Sequence, residues 1–261
     1  MPAKRPLSCF VIVKDEGDRL NRCLASLHGW VDQLIVLDSG STDNSVDIAK
    51  EYADEVYETD WPGYGKQRNR ALSYCQHDWV LNIDADEVVT PALREEIIST
   101  LEQEHLDATM IKFPWHTIFL GSTLKHGRYS TPQGKLFFKK GAKFKEASVH
   151  ESLIMEEQRI LVLKSPLLHY SWRDYQHAID KHVKYAALSA RDKFAKGKKS
   201  SLGYACLRFY ADFIQQYVIR GGFLDGKAGF MMALILAQYG FHKYAALWAM
   251  NRQTVTETEN G

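Results

Sequence analysis

Three carboxylates follow an apolar run in the stretch LNIDADEVVT, residues 81–90. Asp84, Asp86 and Glu87 come directly after residues 79–83, which are typical of a buried strand. In extended or turn geometry, residues two apart project to the same side, so Asp84 and Asp86 can face one bound group. Hard oxygen ligands of this kind suit Mg²⁺ or Mn²⁺ carrying phosphate oxygens. The alternative is that both aspartates only turn or cap the chain, because Asp is common in loops.

Two earlier apolar runs also lead into acidic residues. Residues 7–13 are followed by Glu16, and residues 33–37 are followed directly by Asp38. Asp38 is predicted to accept a hydrogen bond from a nucleobase N–H or a ribose hydroxyl, and Glu16 can play a similar role. For Glu16 the alternative is a solvated loop carboxylate. Asp43 is predicted to cap the helix that follows.

A basic helix start lies between these acidic segments. The stretch GYGKQRNRAL, residues 63–72, places Lys66, Arg68 and Arg70 in the first turns of a predicted helix. The helix N-terminus and the cationic side chains both favour an anion. This segment is therefore predicted to meet phosphate groups.

The first hundred residues alternate between strand-like and helical segments, which must position these polar groups. Strands are predicted over residues 7–13, 33–37 and 79–83, and helices over residues 19–27, 44–52 and 66–74, with a further helix from Pro91 capped by Thr90. This alternation is typical of an α/β fold in which helical crossovers join parallel strands. In such sheets, ligands bind at the carboxyl ends of the strands.

The later part of the chain differs in character. Residues 110–172 contain short, aromatic, partly alternating runs, which predict further strands and loops that complete or cover the sheet. A long helix is predicted from residue 175 to about residue 194, followed by the Lys- and Gly-rich segment 195–203 as a hinge. We therefore divide the chain into a catalytic region, residues 1–172, and a C-terminal helical region, residues 173–261.

The C-terminal region combines a basic stretch with an apolar one. Residues 191–227 hold eight Lys or Arg against three Asp, and residues 228–242 contain no charged residue. Fifteen residues are short of the roughly 20 needed to span a bilayer as a helix. The segment is predicted to be a helix packed on the domain or an interfacial helix docked on an anionic membrane face.

Composition excludes some classes of function. There are 33 Lys and Arg against 32 Asp and Glu, so a net charge of +1 provides no overall attraction to nucleic acid. The four cysteines form no CxxC pair, which favours free, buried thiols in a reducing compartment. The first apolar run is interrupted by residues 14–16 after about seven residues, and it is interpreted as a strand, not a secretion signal.

Four segments carry a resemblance to a known family: LSCFVIVKDEGDRL, IVLDSGSTDNSVDIA, GYGKQRNRAL and WVLNIDADEVV. In this order and spacing the chain resembles a family 2 glycosyltransferase with the A-type, Rossmann-like nucleotide-binding fold. Within that family, the chain resembles the bacterial lipopolysaccharide core β-glucosyltransferases more closely, through the segments VHES, HYSW and RGGFLDGKAGF. The resemblance implies a mostly parallel central sheet flanked by helices, with a C-terminal helical appendage.

The resemblance also implies roles for the polar residues. Glu16, Asp38 and Arg68 would hold the nucleoside and its phosphates, and Asp84 would contact the ribose or the metal. Asp86 would coordinate a divalent ion, Mg²⁺ or Mn²⁺, on the diphosphate.

The family inverts the anomeric centre by direct displacement, which requires a base on the acceptor side. In place of the family's common Glu-Asp or Asp pair, this chain has SVHES, in which Glu151 is the best candidate and His150 the rival. His169 could be a further metal or diphosphate ligand. Arg128 and Lys135 could meet phosphates of the donor or acceptor, with solvated surface positions as the alternative.

The implied function is an inverting glycosyltransferase that moves a sugar, most simply glucose from UDP-glucose, to a lipopolysaccharide inner-core acceptor. It would act in the cytoplasm, peripherally on the inner face of the bacterial inner membrane, with no nucleic-acid partner. Two alternatives are open. In a haloacid-dehalogenase-type phosphatase Asp84 would be the phosphoryl nucleophile, but the later acidic pair of that class is not evident. A non-catalytic sugar-nucleotide-binding module would need no base at Glu151.

Overall fold

The structure is a computed structural model that describes residues 5–146 and 152–259. Its strands are β1 (Leu7–Val13), β2 (Gln33–Asp38), β3 (Glu55–Glu58), β4 (Trp79–Asp84), β5 (Glu87–Val89), β6 (Met110–Phe113), β7 (Trp115–Phe119), β8 (Ser122–Leu124), β9 (Gln133–Phe138), β10 (Lys143–Phe144), β11 (Leu153–Ile154), β12 (Ile160–Val162) and β13 (Leu167–His169). Its α-helices are α1 (Gly17–Ala25), α2 (Ser45–Tyr52), α3 (Tyr64–Tyr74), α4 (Pro91–Leu101), α5 (Tyr175–Ala195), α6 (Leu202–Ile214) and α7 (Gly226–Glu259).

The chain divides into two compact units. The first comprises Met1–Trp115 and Pro132–His169, and the second comprises His116–Thr131 and Tyr170–Gly261. The first unit therefore holds the strand-end carboxylates, and the second holds the C-terminal helices.

A seven-stranded sheet organises the first unit, in the order β12-β6-β9-β4-β1-β2-β3. Neighbouring strands are parallel except at β9, which runs antiparallel to both β4 and β6. The predicted α/β fold with a mostly parallel sheet is confirmed. Because β1, β2 and β4 are adjacent and parallel, their carboxyl ends share one edge: Val13 lies opposite Asp38, and Ile12 lies opposite Asp84.

Both faces of this sheet are covered, which explains why its central strands are mostly apolar on both sides. Every residue of β1 and β2 is buried. One face packs on α1 and α4 through residues such as Leu20 and Ile97, and the other packs on α3 through Ala71 and Leu72. Each large apolar side chain buried in this way contributes about 1.5–3 kcal/mol.

One of the two predicted helix N-caps is found in the structure, and the other is not. Thr90 accepts a hydrogen bond from the Leu93 N–H at 3.1 Å, and Pro91 opens α4, as predicted. The N-cap of α2 is Asn44 and not Asp43. Asp43 instead accepts from the N–H groups of Ser45 at 3.0 Å and Gly17 at 2.9 Å, and so joins the starts of α1 and α2.

The second unit contains the β7–β8 hairpin and helices α5, α6 and α7. Its core includes Phe119 and Trp172 together with Met232, Ile235 and Leu236 of α7. The apolar segment 228–242 thus contributes buried side chains to this unit. None of the helices in the described ranges is long and apolar enough to cross a membrane.

All four cysteines are free thiols. Cys9, Cys23 and Cys75 are buried, as predicted, and burial raises the pKa of each thiol. The expectation of a buried thiol is wrong for Cys206, which is exposed on α6.

Candidate active site

Asp84 ends β4 between two cations. Its Oδ1 accepts from Arg68 of α3 at 2.7 Å, and its Oδ2 accepts from Lys135 Nζ of β9 at 2.6 Å. Burial opposes ionisation of this carboxyl, but Lys135 and Arg68 outweigh it and hold its pKa well below the usual range. Asp84 is therefore a fixed carboxylate, with each oxygen already directed at a cation.

Lys135 also binds Glu87, which sequence reasoning did not assign to the site. The Lys135 Nζ lies 2.9 Å from Glu87 Oε2, and that oxygen also accepts the Asp84 N–H at 2.8 Å. Glu87 is fully buried, and its Oε1 has no hydrogen-bond partner in the described part of the chain. Burial, reinforced by Asp84 and Asp86 against the opposing Lys135, raises the pKa of Glu87 to about 6.

Lys135 lies beneath the site and not on the solvated surface. It is a buried side chain in the antiparallel strand β9, next to β4, and it lies 6.0 Å from the Trp115 ring centroid. Burial lowers its pKa, but Asp84 and Glu87 outweigh that effect and raise it. Only one local feature of the sequence could have indicated the burial of this lysine, which is its place in the otherwise apolar run GKLFF. A charged residue buried in such a run needs a partner of opposite charge.

Asp86 belongs to a second group of contacts at the same edge. Its Oδ2 lies 3.3 Å from His169 Nε2 and 3.7 Å from an Arg19 guanidinium nitrogen. Burial opposes ionisation, but His169 and Arg19 lower the pKa of Asp86 overall. Arg19 in turn donates from Nε to Glu16 at 2.9 Å, which connects Glu16 to Asp86 through α1.

His169 reaches Asp86 because of strand pairing. The strand β13 runs antiparallel to β5, and His169 lies opposite Glu87 in that pair. The imidazole stacks on Trp115 with ring centroids 3.8 Å apart and planes 10° apart. Strand pairing and this stacking thus hold the His169 ring beside Asp86, although the two residues are 83 positions apart in the sequence.

Asp38 is the last residue of β2 and holds the tight turn that follows it. Its Oδ2 accepts from the N–H groups of Gly40 at 2.8 Å and Ser41 at 2.9 Å, and its Oδ1 accepts from the Ser41 hydroxyl. Gly40 has a φ of +79°, a conformation that favours glycine. The carboxylate therefore holds its own loop at the same sheet edge.

The start of α3 supplies the basic residues. Arg68 is buried and its guanidinium carbon lies 5.8 Å from the ring centroids of Tyr64 and Phe144, whereas Lys66 is exposed. Gly63 precedes the helix with a φ of +103°. Of the predicted residues, Asp38 and Asp84 end β2 and β4, Glu16 and Asp86 follow β1 and β4, and Arg68 reaches Asp84 from the start of α3.

The structure leaves the roles of three further predicted residues open. Glu151 and His150 lie outside the described residues, so their roles stay predictions. Arg128 lies in the second unit, in a short 3-10 turn whose first N–H donates to Gln216 Oε1 at 3.0 Å.

The side-chain atoms at this edge fit a divalent cation that the protein and a bound phosphate group hold together. Asp86 and His169 offer one carboxylate and one imidazole side by side, whereas both oxygens of Asp84 are engaged by cations. The described ranges contain no group of three or more His, Cys, Asp or Glu residues arranged for a metal. A cation bound here would take its remaining ligands from water and phosphate oxygens, as Mg²⁺ commonly does at phosphate sites.

Comparison with known proteins identifies the family of the chain. Residues 8–157 match the model of a family described as glycosyl transferase family 2. An uncharacterized glycosyltransferase of Rickettsia felis is 30% identical over 268 residues, which cover 97% of this chain and 92% of the relative. The lipopolysaccharide core biosynthesis glycosyltransferase LpsC of Rhizobium meliloti is 29% identical over 256 residues, which cover 95% of this chain and 94% of the relative.

Among solved structures, the chain is similar to a glucosyl-3-phosphoglycerate synthase of Mycobacterium tuberculosis in complex with Mn²⁺, UDP and glucosyl-3-phosphoglycerate. That match has 26% identity and a TM-score of 0.37, and it spans less than half of either chain, 42% of this one and 44% of the other. The family model itself covers more than half of the sequence, which overturns the phosphatase alternative. The chain belongs to glycosyl transferase family 2.

Proposed function

We propose that this glycosyltransferase uses a UDP-sugar, UDP-glucose in the first instance, and transfers the sugar with inversion to a lipopolysaccharide inner-core or other lipid-linked saccharide. The observation that carries the proposal is the Asp86–His169 pair beside an Asp84 that Arg68 and Lys135 hold ionised. Similarity to the core biosynthesis enzyme LpsC supports the acceptor class. A lipid-linked acceptor implies work at the inner face of the inner membrane, as a peripheral protein.

The donor would lie along the carboxyl edge of β1, β2 and β4. Asp38 and Glu16 supply acceptors for the nucleoside, and Lys66 and Arg68 at the start of α3 supply positive charge for the phosphates. Asp84, held by its two cations, would accept from a ribose hydroxyl without reorganising.

Asp86 and His169 would hold Mg²⁺ or Mn²⁺, with Asp84 next to them. When bound, such an ion stabilises the negative charge that develops on the leaving diphosphate. Arg19 lies 3.7 Å from Asp86, and the Trp115 ring fixes the plane of His169, so both donors are oriented before a ligand arrives.

The base is assigned to Glu151, with His150 as the rival. A sugar hydroxyl is a poor nucleophile at neutral pH, so a base must remove its proton as the glycosidic bond forms. In inversion by direct displacement the carboxylate acts on the acceptor side and leaves no covalent intermediate on the protein.

The test is a panel of UDP-sugars with Mg²⁺ or Mn²⁺ and a core-saccharide acceptor, with UDP release and product formation both measured. We expect UDP-glucose to be preferred, and Glu151→Gln to lower transfer by about 100-fold or more. Glu146→Gln, an exposed carboxylate five residues earlier, is the matched control and should transfer at the wild-type rate.

Three results would contradict parts of the proposal. Loss of transfer in His150→Gln with activity retained in Glu151→Gln would move the base to His150. Transfer that is insensitive to EDTA would remove the metal. Binding of UDP-sugars without any turnover would favour the non-catalytic module.

A further inference from the structure

Helix α6 and the turns after it present an apolar face to solvent. Leu207 is 61% exposed, Tyr210 65% and Ile214 50%. At about 100° per residue, these three side chains fall within one stripe roughly 60° wide. Exposed apolar residues continue beyond the helix at Val218, Ile219, Phe223 and Leu224. Soluble proteins rarely expose a contiguous apolar patch of this kind unless it contacts something.

The opposite face of α6 is the one that packs within the unit. Ala205 is fully buried, and the half-buried Arg208 pairs with Asp212 one turn later. A Cβ built at Gly240 of α7 would lie 2.1 Å from Asp212 Oδ2, so α7 approaches the helix on this polar side. Amphipathic helices ordinarily bury the apolar stripe. In α6 the packed face holds this charged pair together with Phe213, whose ring contacts Phe230 of α7, and a second apolar stripe is left outside.

Positive charge borders both ends of this apolar face. Before α6, a cleft of about 480 Å³ is lined by Lys193, Lys198 and Lys199 together with Ser201 and Tyr204. Tyr204 also lies on α6, one turn before Leu207, so the cleft opens beside the stripe. After the helix, Arg220 and Lys227 are exposed. Between residues 196 and 224 the only acidic residue is Asp212, which Arg208 already neutralises.

We propose that α6 and the segment to Leu224 form a docking face for an anionic phospholipid bilayer. The apolar stripe would enter the headgroup region, and the lysine cleft would bind a lipid phosphate. An apolar helix face with basic flanks suits this partner, because anionic lipids supply both the apolar medium and the complementary charge. A second copy of the chain fits less well, since self-association would bring like charges together.

This inference adds a docking face to the peripheral membrane contact in the proposed function. It rests on the proposed function only for which membrane is bound. It differs from the sequence-based expectation in its location. The uncharged segment 228–242 contributes Met232, Ile235 and Leu236 to the core of the second unit, whereas α6 carries the exposed stripe.

Cys206 provides a direct probe, because it is exposed on α6 while the other three cysteines are buried. The full chain is labelled at Cys206 with an environment-sensitive fluorophore and mixed with vesicles, without donor or acceptor. We expect a blue shift with phosphatidylethanolamine–phosphatidylglycerol vesicles that weakens as salt rises, and none with phosphatidylcholine alone.

Two pairs of variants separate the apolar and electrostatic contributions. Leu207→Ser with Ile214→Ser should lower vesicle partition at least tenfold, whereas Val183→Ser with Leu188→Ser, exposed apolar residues on α5, should not. Lys198→Glu with Lys199→Glu should also lower it at least tenfold, and Lys140→Glu with Lys143→Glu, exposed in the first unit, should not. Partition is measured by co-sedimentation of unlabelled protein.

Hydrolysis of soluble UDP-glucose is followed in parallel without vesicles, so that failure to bind lipid is distinguished from failure of the enzyme. Protein that hydrolyses UDP-glucose but does not bind anionic vesicles would contradict the proposed docking face. So would stripe variants that bind as the wild type does. A fall in molar mass of the Leu207→Ser, Ile214→Ser variant in light scattering would overturn it in favour of self-association.

Discussion

A single lysine connects the two acidic groups of the site. Lys135 lies between Asp84 and Glu87, at 2.6 and 2.9 Å from their oxygens, and only 10% of its side chain is exposed. Two carboxylates three residues apart in a buried turn would repel each other without such a cation. The lysine therefore stabilises the folded chain and also fixes the Asp84 carboxylate.

Replacement of this lysine by an uncharged side chain of similar length should be costly. We expect Lys135→Met to lower the free energy of unfolding by about 3 kcal/mol, because it leaves buried carboxylates without their shared partner. Urea denaturation at pH 7 measures the change. Lys140→Met, two residues after β9 and exposed, is the control and should change stability by less than about 0.5 kcal/mol.

A double variant tests whether the cost arises from the buried charge. Glu87→Gln in the Lys135→Met background should recover part of the lost stability, because it removes one unpaired carboxylate. Additive losses in the two variants would show that Lys135 acts by packing alone.

At the scale of elements, the start of α3 depends on close backbone contact. A Cβ built at Gly65 would lie 2.4 Å from the carbonyl oxygen of Lys145 and 3.0 Å from the Glu146 Cα. Asn69, one turn later, exchanges two hydrogen bonds with the backbone of Phe144, at 2.9 and 2.8 Å. The helix that carries Lys66 and Arg68 is therefore held against residues 143–146 by contacts that leave no room at Gly65.

Gly65→Ala should displace this helix start. We expect a loss of roughly 1–3 kcal/mol in unfolding free energy, typical of an added methyl group in a packed site, together with weaker UDP binding in calorimetry. Gly203→Ala on α6 is the matched control, because a Cβ there meets no atom closer than 4.0 Å. Replacing a helical glycine in open space should leave stability unchanged or raise it by up to about 1 kcal/mol. Equal effects of the two substitutions would contradict close packing at Gly65.

At the scale of the whole molecule, charge is unevenly distributed although the net charge is only +1. Residues 191–227 carry eight of the 33 basic residues, and the candidate active site instead concentrates carboxylates. Cations pair with Asp84 and Asp86, but a diphosphate beside them still gains from added positive charge, since a carboxylate that is not compensated repels a phosphate charge about 5 Å away by roughly 3 kcal/mol at an effective dielectric near 20. Donor binding should therefore be linked to a divalent ion.

This linkage is measurable as a shift in thermal stability. UDP with Mn²⁺ should stabilise the full chain by about 2.7 kcal/mol at 100 times the dissociation constant, and UDP alone should give a much smaller increase in melting temperature. Asp86→Asn should abolish the difference that Mn²⁺ makes. Asp107→Asn, an exposed aspartate in the first unit, is the control and should respond as the wild type does. An equal shift with and without Mn²⁺ would contradict the metal assignment.

Much of the fold and part of the site could be predicted because the relevant signals are local. The predicted strand over residues 7–13 has the same bounds as β1, and the predicted helix from residue 175 to about 194 matches α5 within one residue. Buried parallel strands read as continuous apolar runs, and the residues after them must share one edge. For this reason Glu16, Asp38, Asp84 and Asp86 could be grouped from sequence.

The sequence by itself therefore determined the α/β class, the order of its elements and the acidic edge. Only the tertiary structure decided which distant residues complete that edge. Lys135 arrives on the antiparallel strand β9, and His169 arrives through the pairing of β13 with β5. It also decided which helix exposes an apolar face, since α6 packs through the side that carries Ala205 and Asp212 and leaves the stripe with Leu207 outside. The spacing of apolar residues along the chain shows that a helix or strand has an apolar face. Contacts between residues far apart in the sequence decide which other element packs on that face.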